Sequence, residues 1–301
     1  MNLGDLKAFV AVAETGSINR AAAKLNLTQP AVTRRVQSLE AAIGVALLDR
    51  SSKPPNLTED GRRALAHGRR VLSALEELSE QVSSKRGLSG EFRIGIAPGF
   101  ANSALGQPLD QLMRNFPNID LRIMSDWSGE LLAALRSQAL DAALVLLTEP
   151  QLVDRDFELR SFPQQPIVIV AARQATIGAS PSLAELGVHR WVLNPRGCGF
   201  RSALQRALDR EHGHLNLGAE VQDYDLQLSL IARGVGLGLV PRSRWEASAC
   251  RKQIKIVEPR DFRLVVTPAV VSPLGRDRYR QVIEILASGI ANIKRHNNKL
   301  A

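Results

Sequence analysis

Apolar positions near the start of the chain recur at helical spacing in three short segments. The first segment ends at Gly16, the second follows Ser17 and reads INRAAAKL, and the third follows Thr28. Ser and Thr are favoured N-cap residues and proline is tolerated in a first turn, so the third helix is predicted to begin at Gln29. Three short helices with a tight turn before the last are typical of a helix-turn-helix.

The third helix carries an apolar stripe on one side and a polar face on the other. Val32, Val36, Leu39 and Ile43 share the stripe, which we expect to be buried. The outward face collects side chains with hydrogen-bonding tips or positive charge: Gln29, Pro30, Thr33, Arg34 and Gln37. A helix that begins with such a face suits a groove of DNA.

The next segment predicts a wing followed by a long helix. VALLDR is strand-like and SSKPPNLT is a proline-rich turn, so Arg50 and Lys53 are expected beside the third helix. From Glu59 to Arg86 no proline interrupts the helical pattern, which predicts about 42 Å of helix. Its apolar and small positions alternate spacings of four and three, as in a coiled coil: Ala64, Gly68, Val71, Leu75, Leu78 and Val82. A partner helix is therefore expected, the alternative being that this helix packs on its own domain.

Beyond Glu91 the pattern changes to short β-rich runs, several of them separated by helical segments. These runs read FRIGIA, IDLRIM, DAALVLL, PIVIVAA, RWVLN, GLGLV, IKIVE and RLVVT. The alternation predicts parallel sheets with helices on their faces. Ligands of such sheets bind beyond the carboxyl ends of the strands, near helix N-termini.

Composition limits the class of protein. The 301 residues suit about two domains, and a 45% hydrophobic content is ample for a packed core. The net charge of +9 favours polyanionic partners, but residues 1–90 carry only 13 of the 39 basic side chains, so charge alone does not locate a DNA site. The longest apolar runs are far shorter than the roughly twenty residues of a membrane span. With no basic segment before the first apolar stretch, we expect a soluble, cytoplasmic protein without a signal peptide.

The sequence offers little sign of catalysis. Two cysteines, Cys198 and Cys250, lack metal-ligand spacing, and the five histidines are scattered. GVGLG at 234–238 resembles part of a dinucleotide-binding loop, but its glycines close a helix and lead into a strand, which is the reverse of that motif. We therefore expect no enzyme, no metal and no cofactor.

SINRAAAKLNLTQPAVTRRVQSLEAAIGVALLDR followed by LTEDG resembles the DNA-binding end of LysR-type transcriptional regulators. IARGVGLGLVPRS and, more loosely, SGELLAALRSQALDAALV are similar to the effector domain of that family. The resemblance implies an α/β multidomain protein, with a winged helix-turn-helix at 1–58, a dimerisation linker helix at 59–88 and an effector-binding domain at 91–301. That domain would resemble periplasmic binding proteins, with subdomain I (91–163 and 267–301) and subdomain II (164–266) enclosing an effector cleft.

The same resemblance implies a bacterial regulator and its partners. These are double-stranded promoter DNA, a small-molecule effector and further copies of the chain, as a dimer through the linker helix and a tetramer of two dimers. RNA polymerase is a further candidate partner. Effector binding would change subdomain closure and thereby the spacing of the paired winged domains on DNA.

The candidate DNA-binding residues are Ser17, Thr28, Gln29, Pro30, Thr33, Arg34, Arg35, Arg50 and Lys53. Of these, Gln29, Pro30, Thr33 and Arg34 match the recognition-helix positions of that family. Gln and Arg can make paired contacts with base edges, each providing about 1–3 kcal/mol of discrimination. Arg34 could equally hold a phosphate, and Arg35, Arg50 and Lys53 are either phosphate contacts or solvated charges.

The candidate effector-binding residues lie where strands run into helices or loops. They are Gly99, Phe100, Asn102, Ser103, Trp127, Ser128, Arg196, Gly197, Cys198, Gly199, Arg201, Tyr224 and Asp225. Ser128 could instead be only a helix cap. Glycines beside a helix start, with Arg196 and Arg201 nearby, favour an anionic ligand such as a carboxylate.

Two alternatives stay open. The peroxide-responsive member of the family keeps its reactive thiol in the loop that corresponds to Cys198, so a redox-responsive regulator is one, although a free cysteine can equally be an inert small residue. The other is a ligand-binding protein that does not recognise specific DNA.

Overall fold

The computed structural model describes residues 2–51, 55–82, 88–100, 102–149, 153–211, 213–274 and 279–297. The chain divides into two compact units, residues 1–86 with 136–139 and residues 87–135 with 140–301. Separate clusters of buried apolar side chains form the core of the first unit and the cores of the second. The predicted fold class, a winged helix-turn-helix joined to an α/β domain, is confirmed by this architecture.

The first unit consists of four helices and a small two-stranded wing. The helices are α1 (Leu3–Thr15), α2 (Ile18–Lys24), α3 (Gln29–Ile43) and α4 (Glu59–Val82), and the wing strands are β1 (Leu48–Asp49) and β2 (Asn56–Leu57). Glycines in the left-handed region end α1 at Gly16 (φ +61°) and α3 at Gly44 (φ +82°). These are positions where L side chains are strained, so glycine sets both helix ends.

The apolar stripe of α3 is buried over most of its length. Val32, Val36 and Leu39 lie in the core of the first unit. The prediction for Ile43 was wrong, since its side chain is 45% exposed. It belongs to the last turn of α3, next to the Gly44 that ends the helix, so the buried stripe stops one turn earlier than the periodicity indicates.

Close approach of α4 to its own unit explains two of its glycines. A β-carbon on Gly61 would come within 2.1 Å of the Leu47 carbonyl oxygen, and one on Gly68 within 2.9 Å of Leu6. Ala64 also packs against this core. The first part of the predicted coiled-coil seam therefore faces α1 and the wing rather than a partner helix. The small size of these residues lets α4 pack closely on its own unit, which corrects the expectation of a partner helix there.

Further along α4 the predicted seam is open to solvent. Val71 is 53% and Leu78 is 58% exposed. Residues 83–86, which the sequence assigns to the same helix, lie outside the described residues, as does the side chain of Val82. The dimerisation role of this segment stays a prediction.

The second unit is a sheet flanked by helices. Its strands are β3 (Gly90–Ile96), β4 (Ile119–Ser125), β5 (Ala142–Leu147), β6 (Phe157–Ser161), β7 (Gln165–Ala172), β8 (Trp191–Leu193), β9 (Leu217–Glu220), β10 (Leu237–Pro241), β11 (Ile254–Val257) and β12 (Leu264–Pro273). Its helices are α5 (Asn102–Asn115), α6 (Ser128–Arg136), α7 (Leu183–Gly187), α8 (Gly199–Arg210), α9 (Tyr224–Ala232), α10 (Arg242–Ala247) and α11 (Arg280–Asn297). All eight predicted β-rich runs form strands, whereas β6 and β9 were not predicted.

One strand, β12, connects the two halves of the second unit. The strand order is β4-β3-β5-β12-β7-β10-β8-β9, with β6 on β12 and β11 on β7. Leu264–Val266 of β12 pairs with β7, and from Thr267 onward the same strand pairs with β5. β3 runs parallel to its two neighbours, whereas β12 runs antiparallel to β5, β6 and β7. The sheet is therefore mixed, which corrects the expectation of parallel sheets. The reason is that β12 returns against its neighbours and that β10 and β11 also run antiparallel to β7.

A largely buried ion pair joins the middle of β3 to the residue that precedes β5. Asp141, which is 4% exposed, accepts hydrogen bonds from the backbone N–H of Arg93 at 2.9 Å and from its Nε and Nη2 at 3.1 and 3.0 Å. Removing one partner of a buried pair leaves the other charge without compensation. This pair therefore stabilises the central strands of subdomain I.

We expect Asp141→Asn to lower the free energy of unfolding of the second unit by about 3 kcal/mol. The matched control is Asp120→Asn, whose exposed carboxylate pairs with Arg122 at 2.9 Å and is expected to contribute less than about 1 kcal/mol. Urea unfolding followed by circular dichroism measures both values. Equal losses in the two variants would contradict the assignment.

Candidate DNA-binding helix and effector pocket

The N-terminal turns of α3 present the polar face that the sequence predicts. Gln29, Pro30 and Arg34 are exposed, and Thr33 is half-buried. The Thr33 hydroxyl donates to the Gln29 carbonyl at 3.0 Å, which keeps that side chain close to the helix. The groups free to reach outward are therefore the amide of Gln29 and the guanidinium of Arg34.

Two candidate hydroxyls serve as helix caps. Ser17 Oγ accepts a hydrogen bond from the backbone N–H of Arg20 at 3.4 Å, and Thr28 Oγ1 accepts one from Ala31 at 3.4 Å. These contacts position the starts of α2 and α3. Any role of the two residues in DNA binding stays a proposal.

The remaining basic candidates have different surroundings. Arg50 pairs with Glu40 at 2.6 Å, and Glu40 also accepts from the backbone N–H groups of Leu47 at 2.9 Å and Leu48 at 3.1 Å. Arg35 lies against the first turn of α1, where a β-carbon on Gly4 would come within 2.5 Å of its Nη1. Lys53 lies outside the described residues.

In the second unit a pocket opens between residues of the predicted subdomains I and II, with about 250 Å³ of space including its open mouth. Trp127 and Ser128 are at the start of α6, Gly199 and Phe200 at the start of α8, and Tyr224 at the start of α9. We call this the effector pocket, and it is lined by Ala97, Pro98, Gly99, Trp127, Ser128, Leu146, Cys198, Gly199, Phe200 and Tyr224.

Backbone and small residues shape the subdomain I side of the effector pocket. A β-carbon on Gly99 would come within 2.3 Å of Leu146 and 3.4 Å of Pro241, so only glycine fits there without displacing a neighbour. The Ser128 hydroxyl donates to the Leu146 carbonyl at 3.0 Å and accepts from the Leu146 N–H at 3.0 Å. Ser128 thereby ties the start of α6 to β5.

The Trp127 ring reaches across to subdomain II. Gly197 adopts φ +99°, in the left-handed region, and a β-carbon there would lie 3.4 Å from the ring. The ring therefore rests beside the backbone of the loop that leads into α8. A larger residue at position 197 would meet both a strained backbone and the tryptophan.

Two buried titratable groups, Cys198 and Tyr224, line the pocket from subdomain II, and each is only 2% exposed. Burial raises the pKa of the Cys198 thiol, and the backbone N–H groups of Arg201 and Phe200 offset only part of that rise. Burial, with a smaller contribution from Cys198, also raises the pKa of Tyr224 well above its ordinary value. Both groups are therefore neutral near pH 7. The Tyr224 hydroxyl has no hydrogen-bond partner among the described residues.

The other candidate residues lie around the pocket rather than in its lining. Arg201 donates to the Asn194 carbonyl at 3.0 Å and pairs with Glu220, while Arg196 and Asp225 are exposed. The side chain of Phe100 is buried in the core. The side chains of Asn102 and Ser103 lie outside the described residues.

Sequence reasoning missed Ala97 and Leu146 as pocket residues. Both are apolar residues at or just beyond the ends of strands, where a core position and a pocket position have the same pattern. Pro98 and Phe200 also line the pocket, and each is next to a candidate residue, Gly99 and Gly199 respectively.

Comparison with protein families identifies both units. Residues 3–62 match the model of the bacterial regulatory helix-turn-helix protein, lysR family, and residues 85–289 match the LysR substrate binding domain. The chain belongs to the LysR family of transcriptional regulators.

Several LysR-family relatives align over most of this chain. The RuBisCO operon transcriptional regulator of Allochromatium vinosum is 30% identical over 80% of this chain and 79% of its own length. The regulator YofA of Bacillus subtilis is 27% identical over 85% of this chain and 87% of its own length. A probable hydrogen peroxide-inducible genes activator of Mycobacterium xenopi is 35% identical over 55% of this chain and 92% of its own length.

Solved LysR-type structures share the fold. A full-length OxyR from Pseudomonas aeruginosa superposes with a TM-score of 0.76 and 22% identity, covering 96% of this chain and 94% of that one. ArgP from Mycobacterium tuberculosis gives a TM-score of 0.73 and 18% identity, covering 95% of this chain and 96% of that one. Identities this low support the fold and carry no information on the effector.

The described part of this LysR-family chain has neither a membrane-spanning helix nor a metal-ligand cluster. Among its helices, none is both long and apolar enough to cross a membrane. Its His, Cys, Asp and Glu side chains form no group of three that could hold a metal ion.

We expect iodoacetamide at pH 7.5 to alkylate Cys198 at least about tenfold more slowly than Cys250 in the native protein, because burial and a raised pKa both remove reactive thiolate. Peptide mass spectrometry over time measures both rates. In urea the two rates should converge. Similar rates in the native protein would show that the Cys198 thiol is accessible.

Proposed function

We propose that this LysR-family protein is a sequence-specific regulator that binds promoter DNA through α3 and responds to a small molecule in the effector pocket. The observation that carries the effector half is the buried, unpartnered Tyr224 hydroxyl in a pocket between two subdomains. A buried polar group without a partner costs free energy, and a ligand that accepts its hydrogen bond removes that cost. The regulator would act in the cytoplasm as a dimer or tetramer.

Recognition of DNA rests on the outward face of α3. Gln29, Arg34 and Gln37 are exposed side chains there that can hydrogen-bond to base edges, and Gln29 and Arg34 belong to its N-terminal turns. Arg50, paired with Glu40, is better suited to a phosphate at the edge of the groove. The first turns of α3 would thus contact base edges and provide specificity, while the wing would contact the DNA backbone and orient the protein.

The walls of the effector pocket favour a small ligand with an anionic group. The space amounts to only about 250 Å³ even with the open mouth included, so we infer a small ligand. The N-terminus of α8, at Gly199 and Phe200, supplies partial positive charge, and Tyr224 supplies a donor. These groups, rather than Arg196 or the paired Arg201, would hold a carboxylate, and the apolar walls would contact its carbon skeleton.

Effector binding would be linked to DNA binding through the relation of the two subdomains. Residues of both line the pocket, so a ligand that contacts both stabilises the arrangement that encloses it. A changed arrangement would alter the spacing of the winged domains within an oligomer, and therefore which half-sites and DNA bends are favoured.

A thiol sensor at Cys198 is the second candidate, favoured by the similarity to the hydrogen peroxide-inducible genes activator of Mycobacterium xenopi. The burial of Cys198 and its raised pKa oppose this function, because peroxide reacts with the thiolate. If the thiol were the sensor, Cys198→Ser would abolish a peroxide response that Cys250→Ser leaves intact. An unchanged response of promoter binding in Cys198→Ser removes this candidate.

Arg34→Ala is expected to weaken specific DNA binding by about 1–3 kcal/mol, because it removes a guanidinium that can contact a base edge. The control is Arg63→Ala, an exposed arginine on α4 that pairs with Glu59 at 2.6 Å. Genome-wide mapping of bound DNA should give a few sharp sites that weaken in Arg34→Ala and persist in Arg63→Ala. Binding indifferent to Arg34 would favour a ligand-binding protein without specific recognition.

Tyr224→Phe is expected to weaken binding of a carboxylate ligand by about 1–3 kcal/mol without lowering the melting temperature, since the lost hydroxyl has no partner in the described structure. Thermal-shift screening of small carboxylates, followed by calorimetry, identifies the ligand and measures the loss. Neutral amide analogues should bind more weakly than the acids. Equal affinity for acid and amide would rule out an anionic effector.

A further inference from the structure

A single arginine bridges the two sides of the effector pocket. Arg244 belongs to α10, in the segment assigned to subdomain II, and its Nη2 donates to the carbonyl oxygens of Pro98 and Phe100. Those carbonyls belong to the turn after β3, in subdomain I. The same turn supplies Pro98 and Gly99 to the pocket lining.

The guanidinium of Arg244 also packs on a pocket residue of its own subdomain. Its central carbon lies 5.4 Å from the centroid of the Tyr224 ring, within the range of a cation–π contact. Arg244 is therefore in contact with one residue from each wall of the effector pocket, although it does not itself line the pocket.

The contacts of Arg244 are unusual for a structural arginine. In the described part of the chain it pairs with no carboxylate, and its buried Nε–H lacks a hydrogen-bond partner. The charge is compensated only by two carbonyl dipoles and an aromatic face. Separating the two walls would break both carbonyl contacts and let water solvate the guanidinium.

The other side-chain contacts across the pocket are weaker or nonpolar. Arg206 and Glu149 approach to 3.7 Å, but both side chains are largely exposed, so this pair contributes little. Trp127 only rests beside the Gly197 backbone. Arg244 is thus the partly buried side chain that joins the walls by hydrogen bonds.

We propose that Arg244 is a positioning residue that latches the Pro98–Phe100 turn to the Tyr224 wall and so sets how far the two subdomains close. Its regulatory meaning rests on the proposed function, because closure would then depend on both Arg244 and the ligand beside Tyr224. The latch itself requires neither effector nor DNA.

The test measures closure directly in the full-length protein. Spin labels on Gln111→Cys in subdomain I and Val188→Cys in subdomain II, both exposed positions, report the distance between the subdomains. Cys250→Ser removes the more accessible native cysteine, and the parent with Cys250→Ser alone shows whether buried Cys198 takes up label. The labelled protein is mixed with an excess of unlabelled protein, so that most measured distances join the two labels of one chain.

We expect Arg244→Met to lengthen or broaden the distance distribution by more than about 2 Å, the scale of domain rearrangements. Arg244→Gln, which keeps one donor group, should give an intermediate distribution. The matched control is Arg242→Met on the same helix, where the exposed arginine pairs with Glu246 at 3.0 Å, and its distribution should equal that of the parent.

An unchanged distribution in folded Arg244→Met would overturn the latch. If Arg244→Met does not fold, as judged by circular dichroism, Arg244→Gln replaces it. A distribution of Arg244→Gln equal to that of the parent would then overturn the latch. Because the measurement uses no effector or DNA, its failure leaves the proposed function standing, and a failed ligand screen leaves the latch standing.

Discussion

The second unit, which contains the effector pocket, is held together by one strand that is hydrogen-bonded to both halves of the sheet. Leu264–Val266 of β12 pairs with β7, and the following residues pair with β5 and β6. The partner changes between Val266 and Thr267 without a break in the strand. The two halves also share one cluster of buried apolar side chains, which includes Leu144 in one half and Leu204 in the other.

Around that connection, backbone and small residues determine the shape of the pocket, and few side chains provide its chemistry. Gly99 and Gly197 allow Leu146 and Trp127 to approach closely. Within this framework Tyr224 contributes a hydroxyl and α8 contributes its N-terminus. The buried Tyr224 hydroxyl lies in a surrounding of low polarity, where a hydrogen bond is stronger than in water.

Several charged residues in both units form hydrogen bonds or ion pairs within the fold, so they are not free to bind ligands. Glu40 binds the backbone at the start of the wing and pairs with Arg50, and Arg201 is paired with Glu220. Arg244 instead has carbonyl groups and a ring as partners. A positive charge near a pocket is thus available to an anion only where local packing has not already neutralised it.

The sequence by itself determined the elements whose causes are local: the caps and glycine ends of the N-terminal helices, the outward face of α3 and eight of the strands. Only the tertiary structure decided that Gly68 faces α1, that Ile43 is exposed, that β12 is shared, and that Arg244 meets Pro98, 146 residues away in the chain. Capping and periodicity depend on neighbours within a few residues, so the sequence records them. Burial and pairing depend on which distant elements pack together, and a local pattern does not contain that information.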